Sequence, residues 1–244
     1  MLTGQVALVT GASRGIGRAI AERLAQDGAA VVVNYAADAA GAGQVVDAIV
    51  QPGGTAIAVR ADLADVAEIG RLFAAVDARF GRLDILVNNA GIGALAPLDE
   101  VDAATFDRVF AINARAPLFA CQEAARRMTA GGRIVNVSSS STLFPTPGTA
   151  VYAASKAVPK IYTEVLAREL GPRGITVNSV VPGPTSPGMF DYAPDEMHAG
   201  AIAASPFGRL GAPGDIASVV SFLVSDDARW VTGQHILANG GATV

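Results

Sequence analysis

A tyrosine and a lysine four residues apart are the pair of side chains in this sequence whose spacing suggests chemistry. Tyr152 and Lys156 lie in the stretch Val-Tyr-Ala-Ala-Ser-Lys, within a segment predicted to be helical over about 151–170. On a helix, this spacing stacks the two side chains on one face, one turn apart. An ammonium group beside a phenol favours the phenolate, so the tyrosine pKa would fall from its reference of about 10 and allow proton transfer near neutral pH. An exposed helical pair without function is the alternative.

Four consecutive serines, residues 138–141, precede this helix and directly follow a predicted strand at 133–137. In open α/β sheets, ligands bind beyond the carboxyl ends of the parallel strands. The strand therefore delivers Ser138 and Ser139 to the edge of the sheet where a ligand is expected.

Three glycines, Gly11, Gly15 and Gly17, follow the first apolar run of the chain, residues 5–10. A helical pattern extends from them to about residue 26, and a second apolar run covers 31–34. A strand, a glycine turn and a helix in this order are the context that a phosphate-binding loop needs. Glycines let the backbone approach a pyrophosphate, and free N–H groups at the helix start bind its charge. A plain glycine-rich turn is the alternative.

The end of the second predicted strand indicates which dinucleotide would bind. An acidic residue there would bind the ribose 2′-hydroxyl of NAD, but this chain has the uncharged Asn34. Arg14 lies in the glycine loop, where its guanidinium could pair with the 2′-phosphate of NADP. Together the two residues favour NADP over NAD. A solvated Arg14 and an Asn34 that only caps a turn are the alternative.

Strand and helix patterns alternate through the rest of the chain. Further strands are predicted at 55–59, 83–87, 133–137, 175–181 and 235–238, and further helices at 38–50, 65–80, 102–128, 151–170 and 215–225. The long helix 102–128 is expected to bend or break near Asn113, because asparagine is a poor residue for a helix interior. The sequence therefore predicts an α/β protein of one domain, 1–244, with an irregular binding loop at about 183–207.

Two of these strand ends carry polar residues. Asp62 and Leu63 follow the strand 55–59, where an adenine could lie against the loop, and Asn88-Asn89-Ala90-Gly91 follows the strand 83–87. Two amides after a buried strand can tie neighbouring strand ends together by hydrogen bonds. They can equally form a turn.

The composition limits the class of protein and its partners. The 244 residues are 51% hydrophobic and 16% charged, which is typical of a compact globular protein with a large core. The net charge of −4 has no basic block, which argues against nucleic acid as a partner. A single cysteine, Cys121, fits a reducing compartment. The sequence has neither a signal-peptide pattern nor an apolar run long enough for a membrane, so we expect a cytoplasmic protein.

In combination, these features resemble the short-chain dehydrogenase/reductase family, of the single-domain type, over essentially the whole chain. The resemblance rests on Thr10-Gly11-x-x-x-Gly15-x-Gly17, residues 88–91, Asn113, Ser139, Tyr152, Lys156, Pro182-Gly183, Thr232-Gly233-Gln234 and Gly240-Gly241. It implies a Rossmann fold with a doubly wound, seven-stranded parallel sheet and helices on both faces. It also implies an NADPH-dependent enzyme that reduces a ketone to a secondary alcohol in a reversible hydride transfer.

The resemblance assigns a catalytic tetrad of Asn113, Ser139, Tyr152 and Lys156. Ser139 is selected among the serines because the family's serine usually lies thirteen positions before its tyrosine. Tyr152 would exchange a proton with the carbonyl oxygen, and Ser139 would hydrogen-bond the same oxygen. Lys156 would lower the tyrosine pKa and bind the nicotinamide ribose, and Asn113 would hold a water near Lys156. Such roles suit hydride addition, because the alkoxide that forms needs donors and a proton.

The resemblance also implies where the cofactor NADP(H) lies, and it implies no metal. The residues expected along the cofactor are Gly11, Ser13, Arg14, Gly15, Ile16 and Gly17 at the phosphates; Asn34, Tyr35 and Ala36 at the adenosine ribose; Asp62 and Leu63 at adenine; Asn89, Ala90 and Gly91 along its length; Tyr152 and Lys156 at the nicotinamide ribose; and Pro182, Gly183 and Thr185 at the nicotinamide.

Three residues depart from the family pattern. Pro187 stands where many relatives have a threonine or serine that touches the cofactor, and Thr185 or Ser186 could substitute. Pro159 falls inside the predicted Tyr/Lys helix, where it should kink the helix or force a local adjustment at a cost of about 3 kcal/mol. Asn239 replaces an aspartate that often precedes the final Gly-Gly.

The substrate is expected to be a small or medium ketone, or a secondary alcohol in the reverse direction. Five apolar side chains would wall the pocket: Leu143, Phe144, Met189, Phe190 and Tyr192. Two alternatives stay open, a 3-oxoacyl-[acyl-carrier-protein] reductase and a non-catalytic dinucleotide sensor. For the first, Thr129 and Ala130 stand where such reductases often have basic residues, although Arg126, Arg127 and Arg173 remain as contacts for an acidic carrier protein. A homotetramer is expected from the family.

Overall fold

The strands of the computed structural model, which describes residues 1–242, form one parallel sheet of seven strands in the order β3-β2-β1-β4-β5-β6-β7. The strands are β1 Val6–Val9, β2 Ala30–Tyr35, β3 Ala56–Arg60, β4 Ile85–Asn88, β5 Arg133–Val137, β6 Thr176–Pro182 and β7 His235–Ala238. The order reverses between β1 and β4, and such a reversal opens a crevice at the carboxyl ends of the strands. The predicted seven-stranded, doubly wound Rossmann architecture is confirmed.

Helices cover both faces of the sheet. They are α1 Gly15–Gln26, α2 Ala39–Val50, α3 Val66–Phe80, α4 Ala103–Phe110, α5 Ala116–Arg127, α6 Ala150–Leu170, α7 Asp195–Ala204 and α8 Pro213–Val224. Helices α1, α2 and α8 pack on one face, and α3, α5 and α6 pack on the other. The strands are apolar on both faces for this reason: Ala7 and Val9 face the first set of helices, and Val6 and Leu8 face the second.

The two apolar cores hold the sheet in place and thereby fix the strand ends. Phe73 of α3 is fully buried, and burial of a side chain of this size stabilises the fold by about 1.5–3 kcal/mol. Asn88 at the end of β4 donates to Asn136 Oδ1 of β5 at 2.9 Å, and Asn136 donates to Thr163 Oγ1 of α6 at 2.9 Å. A buried polar chain of this kind sets the relative positions of β4, β5 and α6, because each unmade bond would leave a buried polar group unsatisfied.

The break expected near Asn113 is a π-helical turn. Residues Ala111–Arg115 form a π-helix between α4 and α5, and Asn113 is its central residue. Single π-helical turns occur mostly inside α-helices and often at functional sites. The extra residue in the turn lets α4 and α5 join continuously while the Asn113 side chain points to the interior, where it is 1% exposed.

Pro159 does not interrupt helix α6, which runs unbroken from Ala150 to Leu170. Pro159 is buried, and its carbonyl accepts a hydrogen bond of 2.9 Å from Thr163 Oγ1. This bond is the i−4 contact of a threonine hydroxyl within the helix, and the carbonyl that lacks its helical donor because of the proline is that of Ser155.

The segment expected to be irregular, 183–207, contains more structure than predicted. Helix α7 and a 3₁₀ turn at Met189–Tyr192 lie within it. The prediction missed α7 because none of its residues is buried, and a helix without a buried face has no apolar periodicity to detect.

Candidate active site

The glycine loop between β1 and α1 is held by hydrogen bonds to the neighbouring strand ends. Gly11 N–H donates to Asn34 Oδ1 at 3.2 Å, and Asn89 Nδ2 donates to the carbonyls of Thr10 at 2.9 Å and Gly11 at 3.0 Å. Thr10 Oγ1 accepts from the N–H groups of Asn89 and Ala90. Asn88 and Asn89 were expected either to tie neighbouring strand ends together or to form a turn. In the structure their amides tie strand ends together.

Glycine is required at two positions of this loop. Gly11 has φ of +60°, and a Cβ there would lie 2.9 Å from the Ala90 Cα. A Cβ at Gly17 would lie 2.4 Å from both Asn89 Nδ2 and the Gly11 carbonyl. The loop therefore closes tightly on the segment after β4.

The start of α1 is suited to an anion. No side chain caps the helix, and its first turn holds no acidic residue. The first N–H groups of a helix have no partner within the helix, and they carry the positive end of its dipole. Ser13, Arg14 and Ile16 surround this turn, and the Arg14 side chain is exposed. The tight glycine contacts, the open N–H groups and the exposed cation fit the pyrophosphate of a dinucleotide.

Asn34, expected at the adenosine ribose, has its side chain turned inward. It is 2% exposed, its Oδ1 accepts from Gly11, and its Nδ2 donates to the Ala61 carbonyl at 3.2 Å and the Val59 carbonyl at 3.4 Å. The amide joins β1, β2 and β3, and it is not available to a 2′-phosphate. The Asn34 side chain therefore faces inward, while Tyr35 and the exposed Ala36 next to it border the outer surface. The placement of these three residues at the adenosine ribose stays a prediction.

Arg60 is the residue at this strand end that sequence reasoning missed. It pairs in register with Tyr35 across β2 and β3, its side chain is exposed, and its Nε donates to the Ala36 carbonyl at 3.2 Å. The register of two parallel strands predicts such a neighbour only when the order of the strands is known. Arg60 ends β3 and Arg14 lies in the loop after β1, and both side chains are exposed.

The residues expected at adenine lie where the chain leaves β3. Asp62 accepts from Ala64 N–H at 3.0 Å and pairs with Arg108 at 3.1 Å. Partial burial works to raise the pKa of Asp62, but these hydrogen bonds and the charge of Arg108 hold it below its usual value. The carboxylate is thus charged at neutral pH, and the neighbouring Leu63 is buried at 6% exposure.

Lys156 is buried beside the carboxyl end of β5. It is 4% exposed, and its Nζ donates to the Val137 carbonyl at 3.0 Å. Ser138 fixes the backbone of the same residue, because its Oγ donates to the Lys156 carbonyl at 2.7 Å. Burial lowers the pKa of Lys156 to about 8. A Cβ at Gly91 would lie 2.8 Å from Lys156 Nζ, so the glycine leaves room for the ammonium group.

Tyr152 and Ser139 lie close enough for the Ser139 hydroxyl to act on the Tyr152 phenol. Burial raises the pKa of the Tyr152 phenol above its usual value, and the Ser139 hydroxyl opposes this shift. The ammonium of Lys156 donates to the Val137 carbonyl, and desolvation is the largest influence on the pKa of the phenol. The net shift of the tyrosine pKa is thus opposite to the one expected from spacing, because the desolvation of the phenol has the largest effect. The stabilisation of a phenolate by Lys156 stays a prediction.

The side chain of Asn113 makes three hydrogen bonds. Its Nδ2 donates to the Ile92 carbonyl at 2.9 Å and to Ser155 Oγ at 3.0 Å, and its Oδ1 accepts from Ile92 N–H at 2.9 Å. A Cβ at Gly91 would also lie 3.3 Å from this Oδ1, so Asn113 adjoins the space beside Lys156. Asn113 joins the π-helix, the segment after β4 and α6, and its expected role as the holder of a water stays a prediction.

The segment after β6 borders the other side of the site. Pro182 ends the strand, Gly183 packs against Asn239, and Thr185 is buried with its Oγ1 donating to the Gly183 carbonyl at 2.9 Å. A Cβ at Gly15 would lie 3.6 Å from the carbonyl of Pro187, so this segment reaches the glycine loop. The three residues expected at the nicotinamide thus lie at the carboxyl edge of the sheet. Asn239, the third departure, accepts from Gly241 N–H at 3.1 Å in the closing turn.

Several apolar side chains are exposed on the loops that follow the carboxyl ends of β4, β5 and β6. Leu143, Phe144 and Met189 are each nearly half exposed, Tyr192 is 81% exposed, and Leu95, which sequence reasoning missed, is 58% exposed. Met189 lies over Gly93, and Leu95 lies against Gly148, so three loops meet here. Phe190 instead packs against His198, with ring centroids 4.9 Å apart. Exposed apolar groups around a polar centre are typical of a binding groove.

Two classes of site find no support within residues 1–242. The histidine, cysteine, aspartate and glutamate side chains of this part of the chain form no cluster of three or more that could hold a metal ion. Its helices include none with the length and apolar character needed to cross a membrane.

Cys121 is buried beside Asn88, and burial raises the pKa of its thiol to about 12.

Comparison with known proteins identifies the family. A family model described as enoyl-(acyl carrier protein) reductase matches residues 11–243. An uncharacterized oxidoreductase of Methylorubrum extorquens is 49% identical over 243 residues, which cover 98% of each chain. The chain belongs to the short-chain dehydrogenase/reductase family.

Two further members of this family carry more specific names. The hydroxynaphthalene reductase-like protein Arp2 of Metarhizium guizhouense is 43% identical over 255 residues, covering 99% of this chain and 96% of that protein. The crystal structure of the angucycline C-6 ketoreductase LanV with bound NADP is 46% identical, with a TM-score of 0.94 over 99% of this chain and 96% of that chain. The present chain is thus an oxidoreductase by family, and its substrate is a separate question.

Proposed function

We propose that this short-chain dehydrogenase/reductase uses NADPH to reduce a ketone to a secondary alcohol. The observation that carries the proposal is the pairing of Tyr152 with the nearby Ser139 hydroxyl, next to the buried Lys156 and at the same sheet edge as the glycine loop. Two hydroxyl donors at one point can hold one carbonyl oxygen, and the open start of α1 can hold a pyrophosphate.

The residues have distinct roles in the reaction. When bound, NADPH supplies the hydride. Ser139 and Tyr152 donate hydrogen bonds to the carbonyl oxygen and so place the carbonyl carbon, and Tyr152 gives its proton to that oxygen as negative charge develops there. A high phenol pKa keeps Tyr152 protonated for this step. Lys156 provides the positive charge that stabilises the phenolate left behind, and the reverse sequence of proton transfers serves alcohol oxidation.

The charge around the end of β2 supports NADPH over NADH. The side chains of Arg14 and Arg60 are exposed there. Asp38, the nearest acidic residue along the chain, uses its carboxylate to accept from Gly41 N–H at 2.9 Å at the start of α2. Two guanidinium groups beside one phosphate provide charge-assisted hydrogen bonds, and a 2′-hydroxyl cannot use their charge.

Substitution of Arg60 by methionine should weaken NADPH binding about 5- to 10-fold and change NADH binding less than about 2-fold. Arg14→Met should do the same, and the double variant should bind both cofactors alike. The dissociation constants are measured by nicotinamide fluorescence. The control is Arg229→Met, because Arg229 is also exposed and also donates to a main-chain carbonyl, that of Asp226 at 3.0 Å. Equal affinities for NADPH and NADH in the wild type, or equal effects of Arg60→Met and Arg229→Met, would contradict this assignment.

The exposed apolar side chains on the loops beyond the catalytic groups support a bulky cyclic ketone. Leu95, Leu143, Phe144, Met189 and Tyr192 offer apolar contact to a ligand of this kind. The names of Arp2 and LanV refer to a hydroxynaphthalene and an angucycline, which are fused aromatic ring systems. We therefore propose an aromatic polycyclic ketone, larger than the small or medium ketone expected from sequence.

The arginines considered for a carrier protein favour this proposal over an acyl-carrier-protein reductase. Arg126 pairs with Glu123 at 2.6 Å, Arg127 pairs with Asp77 at 2.8 Å, and Arg173 donates to main-chain carbonyls of Ala125 and Met128. Each guanidinium thus has an internal partner that an acidic partner protein would have to displace.

A sensor without activity would have no use for a paired Ser139 and Tyr152 beside a buried ammonium group.

A cytoplasmic homotetramer is the assembly we propose, and light scattering of the purified protein measures it.

A further inference from the structure

The oxygen atom of Ser139 receives two hydrogen bonds from one neighbour. Ser141 N–H donates to Ser139 Oγ at 3.2 Å, and Ser141 Oγ donates to the same atom at 2.9 Å. The backbone at Ser139 is held as well, because its carbonyl accepts from Thr142 Oγ1 at 2.8 Å. Ser139 thereby caps the short 3₁₀ turn Ser140–Thr142 with its side chain.

We propose that Ser141 is a positioning residue that directs the hydroxyl proton of Ser139 toward the substrate carbonyl. The inference rests on the proposed function and adds a residue to it. No contact between Ser141 and the substrate is needed, because Ser141 acts through Ser139.

The physical reason is the limited capacity of a hydroxyl group. A serine oxygen has two lone pairs that accept and one proton that it donates. With both lone pairs occupied by Ser141, Ser139 cannot accept from Tyr152, and its proton is left to donate toward the phenol and the reacting oxygen. A hydroxyl that accepts hydrogen bonds is also a stronger donor, because bonds in a chain polarise one another. Ser141 thus makes Ser139 a donor at the moment when negative charge develops on the carbonyl oxygen.

The other two serines of the run 138–141, Ser138 and Ser140, make no hydrogen bond to the Ser139 hydroxyl in the part of the chain that the structure describes. Ser138 Oγ donates to the Lys156 carbonyl and is buried. Ser140 is half-buried like Ser141, but no hydrogen bond of its hydroxyl is found within residues 1–242. Ser140 therefore provides a matched control, with the same residue type one position away and without the contact to Ser139.

Replacement of Ser141 by alanine should lower kcat for ketone reduction about 5- to 20-fold and leave KM and NADPH affinity within about 2-fold, because one donor to Ser139 is lost. Ser141→Thr keeps the hydroxyl and should restore kcat to within about 3-fold of the wild type. Ser140→Ala should leave kcat unchanged. Thermal unfolding midpoints, measured for all variants, report any loss of folding. Equal kcat values for Ser141→Ala and Ser140→Ala, or a Ser141→Thr variant as slow as Ser141→Ala, would overturn the proposal.

A second measurement separates this proposal from the proposed function. If the wild type reduces no ketone, the proposed function fails, and Ser141 can still be tested by titrating Tyr152. The absorbance change of the phenol near 295 nm is assigned to Tyr152 by its absence in Tyr152→Phe. Ser141→Ala should raise the midpoint of that titration relative to Ser140→Ala, because Ser139 becomes a weaker donor to the phenolate. An unshifted midpoint would overturn the role of Ser141.

Discussion

Tyr152→Phe should lower kcat for ketone reduction about 10³-fold or more, while the dissociation constant for NADPH stays within about 3-fold of the wild type. The change removes the only proton that the site can deliver to the carbonyl oxygen in our proposal, and it keeps the ring that packs beside Ser139. Turnover is followed by NADPH absorbance, and binding by nicotinamide fluorescence.

The matched control is Tyr162→Phe, which removes a hydroxyl from the same helix α6. Burial raises the pKa of the Tyr162 phenol too, with a smaller effect from the neighbouring Cys121, so the two tyrosines share a helix and an apolar setting. Full activity is expected for Tyr162→Phe. Activity of Tyr152→Phe within a few-fold of the wild type would show that another group delivers the proton.

Lys156→Met should lower kcat about 100-fold or more, because the phenolate formed in the reaction loses its nearest positive charge. The same change should raise the midpoint of thermal unfolding at pH 7. Burial lowers the pKa of Lys156 from its usual 10.5 to about 8, so the charged form costs stability. The cost is fully present below pH 8 and is relieved as the pH rises from 8 toward 10.5, where the unfolded chain also loses the proton.

The chain contains only two lysines, Lys156 and Lys160, which makes this prediction testable at a single atom. Lys160→Met, one helical turn further along α6, is the control and should keep full activity. NMR of protein labelled with ¹⁵N at lysine Nζ should give a midpoint near 8 for Lys156, and the rate of ketone reduction should fall as the pH rises through it. An active Lys156→Met variant, or a Lys156 midpoint above 10, would contradict the account.

The strands and most helices could be predicted because each carries a local signal. A parallel strand buried on both faces is an apolar run, and β5 and β7 begin and end at the predicted residues. The interruption at Asn113 was visible as a poor helix residue, but the π-helical turn was not, since it depends on bonds to Ile92 and Ser155. Helix α7 could not be predicted from the sequence, because it buries none of its residues and so has no apolar periodicity.

The site residues fall into the same two groups, those specified by local sequence and those whose contacts come from other strands. Gly17 and Lys156 could be placed from motif and spacing, because the motifs encode local backbone geometry. The inward side chain of Asn34 could not, because its partners Val59 and Ala61 lie on another strand. The pKa of Tyr152 was predicted in the wrong direction for this structure, because spacing gives the distance to a charge and says nothing about desolvation. The roles proposed for Arg60 and Ser141 depend on contacts that the fold creates, so the sequence did not predict them.

The most direct test is the reduction of aromatic polycyclic ketones by the purified enzyme with NADPH, with the product identified by mass spectrometry. The account predicts that NADPH is oxidised and that one secondary alcohol forms for each NADPH consumed, with NADH a poorer donor and Tyr152→Phe inactive. If NADPH binds but is not oxidised with any ketone of a broad panel, from simple cyclic ketones to fused aromatic ones, the central claim of a ketone reductase is wrong.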